Sequence, residues 1–589
     1  MIEMGSNRST NVSLSRIAVF GVLALVFAIR LAHLSSAMVS PLTYEPGPDE
    51  DYYRRFGLAV AAGQGQDNPE FTFMDPAYGY LLGGIFNMVG VNLFVIYLLQ
   101  VLLDTGTAYG ILTVGRLLGR PRAGLFGALI YGLTSTAIMF CTTLLKEVWV
   151  TAYLTWWVVG ALALIRSEHK WHWFLFGLYC GLGVGLRSTL LLLGIGALLL
   201  PGLRFWVSQS GVGKEVGTKV GGSVAANWAT LAALVTCGMV VALLPWSLRN
   251  NHAYGSLSPL PHNGGIVLQQ IYNDRNPRTE IWIPEFVSYL NPSEIWRGYA
   301  AQASRRVGRP LSPAAVDHYW HEQAVTFIEQ HPGQVLEDIL RKSVGWLSDT
   351  ELANNRSDVE ERLFSPVLAW LPTPAAWLLA MGLAGLLWLA LEDRRWPIVA
   401  APIFLAWFTM AVFFAESRFR FHAASMLALC SGVWIEQVVR HLRDISKRQV
   451  VAFVALAVAI AAASVLLGVR NPPAPIRWDR IVWGYINMHK IPEAQALAER
   501  VSKEQPDNAP IFEALGYTAV VRKQYGEAAQ ALQHAIELRP GSHVAHYNLA
   551  RVYLALGDRQ RAAEEAGIAA NLYPSPDYQA LLSQVAAGP

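Results

Sequence analysis

For its first 470 residues the chain alternates long apolar runs with short polar breaks, and after that its character changes. A membrane helix needs roughly 20 mostly apolar residues. Runs of about that length without Asp, Glu, Lys or Arg lie at Ala123–Leu145, Val148–Ile165, Val220–Leu248, Pro366–Leu391, Pro397–Ala415 and Val450–Val469. Weaker runs are Ile17–Val39, which contains Arg30, then Asn92–Leu118 and Phe419–Val439. Trp171–Leu203 is long enough for two short spans and is interrupted by Arg187. The pattern predicts an all-α membrane bundle of about eleven spans. The first run is too long for a signal-peptide core, and no small-residue cleavage site follows it.

The breaks carry charge unevenly. Arg8 and Arg16, then Arg116, Arg120 and Arg122, Arg166 and Lys170, and Arg204, Lys214 and Lys219 fall in loops of one parity. Arg394 and Arg395, and later Arg440, Arg443, Lys447 and Arg448, continue the series. The positive-inside rule makes that side cytoplasmic. The loops at about 40–91 and 246–365, and the tail after Arg470, then face outward. Asp75–Gly90 must be a helix lying at the interface, because a full span there would invert everything downstream.

Beyond Arg470 the sequence is polar and Ala-rich, and it repeats. Pro506, Pro540 and Pro574 are spaced by 34 residues, as are Ala494, Ala528 and Ala562. Together with Leu549, Tyr553 and Gly557 in the last unit, this spacing resembles the tetratricopeptide repeat, an α-solenoid. Two clear repeats are expected at about 510–543 and 544–577, and a degenerate one at 476–509. The chain divides into a membrane domain (1–470), a Pro-rich link (471–475) and a repeat domain (476–589).

Composition narrows the function. Of 589 residues 53% are hydrophobic and 15% charged, against about 25% charged in a soluble domain. A net charge of +3 gives no field for nucleic acid, so no nucleic-acid partner is expected. The four cysteines (Cys141, Cys180, Cys237, Cys430) sit in apolar runs and outline neither a disulfide framework nor a thiolate metal site.

Candidate chemistry lies at the outward span ends. "PDEDYYRRF" places Asp49, Glu50 and Asp51 just beyond the first span, with Tyr52 and Tyr53 following. A charge run is more often a solvated helix start, but Pro48 and the Tyr pair suggest a docked turn. Arg187, Arg249, Lys342, Arg418 and Arg420 each adjoin apolar sequence on the same side. Snorkelling to headgroups is the plain alternative for Arg187 and Arg249, whereas the positive-inside rule argues against a purely topological role for the outward Arg418 and Arg420. Cations beside carboxylates at a membrane surface suit a lipid phosphate, since Arg binds phosphate bidentately and a carboxylate can activate a hydroxyl.

Over roughly residues 15–440 these segments, in order, resemble the GT-C glycosyltransferases, in the branch of protein O-mannosyltransferases and aminoarabinose transferases. The pieces are "PDEDYY", "DPAYGYLLGGIFNMVG", "LLKEVWVTAYLTWW", "GLGVGLRS", "PWSLRNNHAYG", "AVTFIEQHPGQVLEDILRKSVGW" and "ESRFRFHAAS". The resemblance implies inverting transfer from a polyprenyl-phosphate sugar to a protein or glycan acceptor on the non-cytoplasmic face of a bacterial inner membrane. By position it makes Asp49 the base, with Glu50 orienting it or holding a cation. Asp75, Tyr53, Arg187, Arg249, Lys342, Arg418 and Arg420 become substrate-binding candidates. Asp75-Pro76-Ala77-Tyr78 replaces the family's double proline, and His422 follows the arginines where an aliphatic residue or Pro is usual. No metal-ligand spacing appears, and a divalent cation stays an open option.

Two other classes compete. A polymerase or ligase of lipid-linked glycans shares spans, outward arginines and repeats, but not an Asp-Glu loop directly after the first span. A transporter should show two similar halves broken at midplane, and neither feature is visible. A membrane scaffold presenting the repeats is the non-enzymatic option. The repeats are expected to recruit a protein acceptor or partner.

Overall fold

The computed structural model describes residues 15–65, 71, 73–209, 224–276, 282–284, 286–287, 292–371, 375–443, 447–470, 474–573 and 575–586. Among them the secondary structure is helical, with no strand. Six helices are long and apolar enough to cross a membrane: Arg16–Ala37, Leu93–Leu117, Glu147–Leu164, Trp228–Tyr254, Ala375–Glu392 and Val450–Val469. Ser188–Ala197 and Leu200–Ser208, bent by 42°, would make a seventh.

The expected count of eleven is therefore not reached by length and apolarity, and the reasons are local. Ala123–Leu145 is not one helix: Pro121–Leu133 stops at Thr134, whose backbone is extended, and Ser135–Phe140 follows. Trp171–Leu203 is broken by extended backbone at Arg187. Pro366–Trp370 is a separate short helix before Ala375–Glu392. Lys170–Leu186 and Trp396–Val412 have only 17 residues each. Asp75–Gly90 contains a 13-residue helix, Ala77–Val89, too short to cross a hydrocarbon core of about 30 Å. It lies against Pro48–Ala61, with Gly79 and Gly83 admitting Phe56 and Val60.

The basic loops gather at one end of the bundle. Arg395 donates to the carbonyls of Leu117 (2.8 Å) and Leu118 (3.1 Å), and Arg166 also reaches Leu117. Arg204 donates to Ser167, Arg394 to Trp206, and Arg120 pairs with Glu392. Arg8, Lys214 and Lys219 lie outside the described residues. The bundle is tightened by small residues: Gly177, Gly385 and Gly432 each sit against a neighbouring helix's carbonyl where a Cβ would clash.

Arg30, the ionisable residue inside the first predicted span, faces Asp104 of Leu93–Leu117. Arg30 Nε lies 2.7 Å from Asp104, both side chains fully buried, and its other nitrogens reach the carbonyls of Tyr131 and Gly132. The Tyr131 hydroxyl donates to the same carboxylate.

Much of the large loop forms helices: Gly264–Ile271, Pro292–Val307, Pro313–Gln330 and Pro332–Gly345, with Tyr299, Val316 and Trp320 in a small core of their own. In the tail, three helix pairs stack: Trp478–Asn487 with Ile491–Glu504, Ala509–Val521 with Tyr525–Leu538, and His543–Ala555 with Arg559–Leu572. Pro576–Ala586 closes the stack. Ala494, Ala528 and Ala562 are all fully buried, as the 34-residue spacing requires. His489, Lys523 and Gly557, also 34 apart, turn each pair with positive φ of 59°, 61° and 83°. Pro574, and Asn471–Pro473 of the link, lie outside the described residues.

Removing one partner of a buried pair leaves an uncompensated charge and costs about 3 kcal/mol or more, whereas replacing both by apolar groups is often neutral. Asp104→Leu should therefore lower the thermal unfolding midpoint in detergent markedly, and Arg30→Leu combined with Asp104→Leu should recover most of the loss. Equal midpoints for the single variant and the parent would show that the pair does not bear on stability.

Candidate active site

Pro48–Ala61 starts with three acids, and a helix turns about 100° per residue, so each points to a different place. Asp51 turns to its own helix, pairing with Arg54 at 2.7 Å and Arg55 at 3.0 Å. Glu50 turns inward and is fully buried. It takes the Gly47 amide (2.7 Å), the Leu144 amide (3.0 Å) and Arg356 (2.8 Å). These partners leave Glu50 holding the chain in place. Asp49 turns to the cleft. Its amide donates to the Asn355 side-chain oxygen (2.9 Å), whose amide nitrogen returns a bond to Asp49 Oδ2 (2.8 Å). Arg418 contacts the same Oδ2 and also Glu416. Among the described residues no donor reaches Asp49 Oδ1.

Beside this pair lies a group of buried charges. Asp75 pairs with Lys146 and accepts the Ser188 amide (2.9 Å) and hydroxyl. Arg187 Nη1 is 3.6 Å from Glu147 and 3.3 Å from His422 Nε2. The guanidinium of Arg187 stands 4.6 Å, and that of Arg418 5.2 Å, from the centre of the Phe419 ring. Lys146 Nζ stands 5.7 Å from the Tyr53 ring. Burial, and then Arg187, Arg418 and Lys146, hold His422 well below its usual range; the guanidinium of Arg187 can only donate, so His422 Nε2 is the acceptor in their contact. Burial also lowers Lys146, while Asp75 acts to raise it. Tyr53 Oη and Glu147 Oε2 are buried and have no hydrogen-bond partner among the described residues. Burial pushes Glu416 above the carboxylate range, and Arg418 pulls it back.

An apolar cavity of about 450 Å3 opens next to this group, between the helices Pro121–Leu133, Ala375–Glu392 and Ala424–Arg443. Leu133, Leu378, Met381 and Leu427 line it, and Arg420 and Glu351 stand at its polar edge. Thr136, Glu351 and Ser417 also line a second hollow that contains Arg418, so the two adjoin.

The structure thus brings together Asp49, Tyr53, Asp75, Arg187 and Arg418. Arg420 stands one step away: it pairs with Glu351 (2.8 Å) and donates to carbonyls in Trp346–Thr350. Arg249 and Lys342 are held elsewhere. Arg249 donates to Tyr80 (3.0 Å) and to the Phe71 carbonyl (3.1 Å). Lys342 pairs with Asp338 (2.6 Å) and donates to the Phe413 carbonyl (2.8 Å), in the small core of Ile271, Tyr272 and Phe327. No polar contact among the described residues joins either to Arg187 or Arg418. Lys146, Glu147, Asn355 and Arg356 were not singled out from sequence. The signal for the first two was there: a Lys-Glu pair ending an apolar run is a functional candidate by default.

Asp49, Asp75, Glu147 and Glu416 each already face an Arg or Lys. No three His, Cys, Asp or Glu side chains among the described residues converge on one point.

Residues 522–585 match the tetratricopeptide-repeat family model. Among solved structures, the chain is similar to the Archaeoglobus fulgidus oligosaccharyltransferase tethered with an acceptor peptide containing the NVT sequon. Identity is 14%, covering 82% of this chain and 59% of that one, with a TM-score of 0.42. The same organism's AglB, in complex with an inhibitory peptide and a dolichol-phosphate, gives 14% identity over 80% and 58% of the two chains and a TM-score of 0.38. ArnT from Cupriavidus metallidurans bound to undecaprenyl phosphate gives 15% identity, 72% and 79% coverage and a TM-score of 0.29. The chain spans less than two thirds of the archaeal proteins' length. No curated protein sequence matches it.

Proposed function

We propose that the chain is an integral-membrane inverting glycosyltransferase that moves a sugar from a polyprenyl-phosphate donor to an acceptor on the non-cytoplasmic face. One observation carries the reading. Asp49 has one carboxylate oxygen fixed by Asn355 and Arg418 and the other open, beside a buried Arg-Lys group that adjoins an apolar cavity. The cavity suits a polyprenyl chain. Arg418, Arg187 and Lys146 suit the phosphate, whose leaving charge needs cations more than a proton. Asp49 Oδ1 accepts the acceptor's proton as its nucleophile attacks C1. The new bond forms at C1 on the face opposite the phosphate, the C1–O bond breaks, and the electron pair leaves with the lipid phosphate. Asn355 and Glu50 hold the base in place. Asp75 positions Lys146, and His422 fixes Arg187. No step is routed through a metal. The repeats, on this reading, face the same side and position a protein acceptor or assembly partner.

Asp49→Asn keeps shape and removes basicity. Transfer should fall about 100-fold or more, with donor binding nearly intact. Full activity would remove Asp49 from the mechanism. Sidedness is tested separately. Because the basic loops gather at one end, a reporter active only outside the cytoplasm should be active when fused after Pro589. Signal from a cytoplasm-only reporter at that position would overturn the topology and the outward site with it.

A further inference from the structure

The first helix of the tail, Trp478–Asn487, is seated on the acidic loop. Gly484 lies against the Pro41 carbonyl, where any Cβ would clash. Asn487 donates to the Tyr44 carbonyl (3.0 Å) and to Glu45 (2.7 Å). Arg480 is buried at the centre of this contact. Its Nε and Nη2 donate to the Glu45 carbonyl at 3.0 and 2.9 Å, and its Nη1 donates to the Asn355 carbonyl at 2.7 Å. Nη2 also stands 3.5 Å from Glu50, and Nη1 3.8 Å from Glu360.

Both carbonyls belong to segments that set Asp49. Glu45 leads into Gly47, the cap of the helix that carries Asp49, and the Asn355 side chain grips Asp49 at its amide and at Oδ2. These two segments are far apart in sequence. Arg480 clips them together from a third region. A planar guanidinium can serve two carbonyls and two carboxylates at once, which an ammonium cannot. Without it, the buried Asn355 carbonyl and the half-buried Glu45 carbonyl would lose their charged donor. A tail that only recruits a partner needs a tether, not a buried arginine in the scaffold.

We propose that Arg480 is a positioning residue for Asp49, so that the first tail helix belongs to the catalytic unit while the later repeats do not. The inference rests on the reading of Asp49 as the base. At the far end, the Tyr573 hydroxyl reaches Glu294 at 3.3 Å, and no hydrogen bond among the described residues joins it to either segment, which makes it the control.

The test uses full-length Arg480→Gln, Arg480→Lys and Tyr573→Phe in detergent. Three readouts are taken: hydrogen exchange of amides 47–51 and 354–356, affinity for undecaprenyl phosphate alone, and transfer from a lipid extract of the host membranes at saturating donor. In Arg480→Gln, exchange should speed up about tenfold and the transfer rate should drop about tenfold, while undecaprenyl phosphate affinity stays within about twofold. Arg480→Lys should recover part of both losses, and it supplies the same readouts if the glutamine variant does not fold. Tyr573→Phe should change none of them. Unchanged exchange in both Arg480 variants overturns the clip. Faster exchange with wild-type transfer overturns the positioning role. Faster exchange at the same amides in Tyr573→Phe overturns its assignment to the first tail helix. If the parent chain transfers nothing from any extract, the glycosyltransferase reading falls, and the exchange data still decide whether Arg480 clips the two segments.

Discussion

The buried pair of Glu50 and Arg356 is the interaction on which the candidate site depends. Glu50 is fully buried, and a carboxylate in that position is tolerated only if its lone pairs are filled. They are, by groups from separate parts of the chain: the Gly47 amide, the Leu144 amide and Arg356, with Arg480 close by. Arg356 in turn holds the Leu42 carbonyl and Glu361. One charge pair therefore fixes where the first loop, the turn after Phe140 and the loop before Asp358 meet. Asp49 and Asn355 are the immediate neighbours of Glu50 and Arg356, so the geometry of the cleft follows from this pairing.

Next to that anchor, the cleft keeps its charges nearly balanced. Arg418 is shared by Asp49 and Glu416, Asp75 by Lys146 and Ser188, and Arg187 by Glu147 and His422. In a low-dielectric setting an unpaired cation would be costly. Paired cations can still serve an incoming phosphate, because the phosphate takes over part of the carboxylates' role rather than adding a lone charge. The Phe419 ring under Arg187 and Arg418 lets two guanidinium groups approach one another without a carboxylate between every pair.

How much of this was legible depends on whether the signal was local. The repeat spacing is periodic, so Ala494, Ala528 and Ala562 announced the tail's packing before any coordinates. Apolar runs announced the bundle, yet not its breaks, where the backbone turns extended at Thr134 and Arg187. Asp49, Arg187 and Arg418 stood out as charges at span ends and Asp75 through the resemblance, and the fold gathers them. Arg249 and Lys342 looked alike in sequence but serve local carbonyls. Arg356 and Asn355 lie in an unremarked loop, and their partners are about 300 residues away, a separation that no periodicity records.

The same logic explains why the first tail repeat looks degenerate. In a solenoid each repeat contacts only its neighbours, and the terminal ones need a cap. Pro576–Ala586 caps one end with a helix that follows the repeat pattern. At the other end the cap is the membrane domain itself. Gly484 must be Gly to meet Pro41, and Arg480 and Asn487 must be polar to meet the Glu45 segment. Those demands displace the residues that a repeat-to-repeat contact would select. The weak repeat signal at 476–509 is thus the trace of an interface, and that interface lies against the loop that carries Asp49.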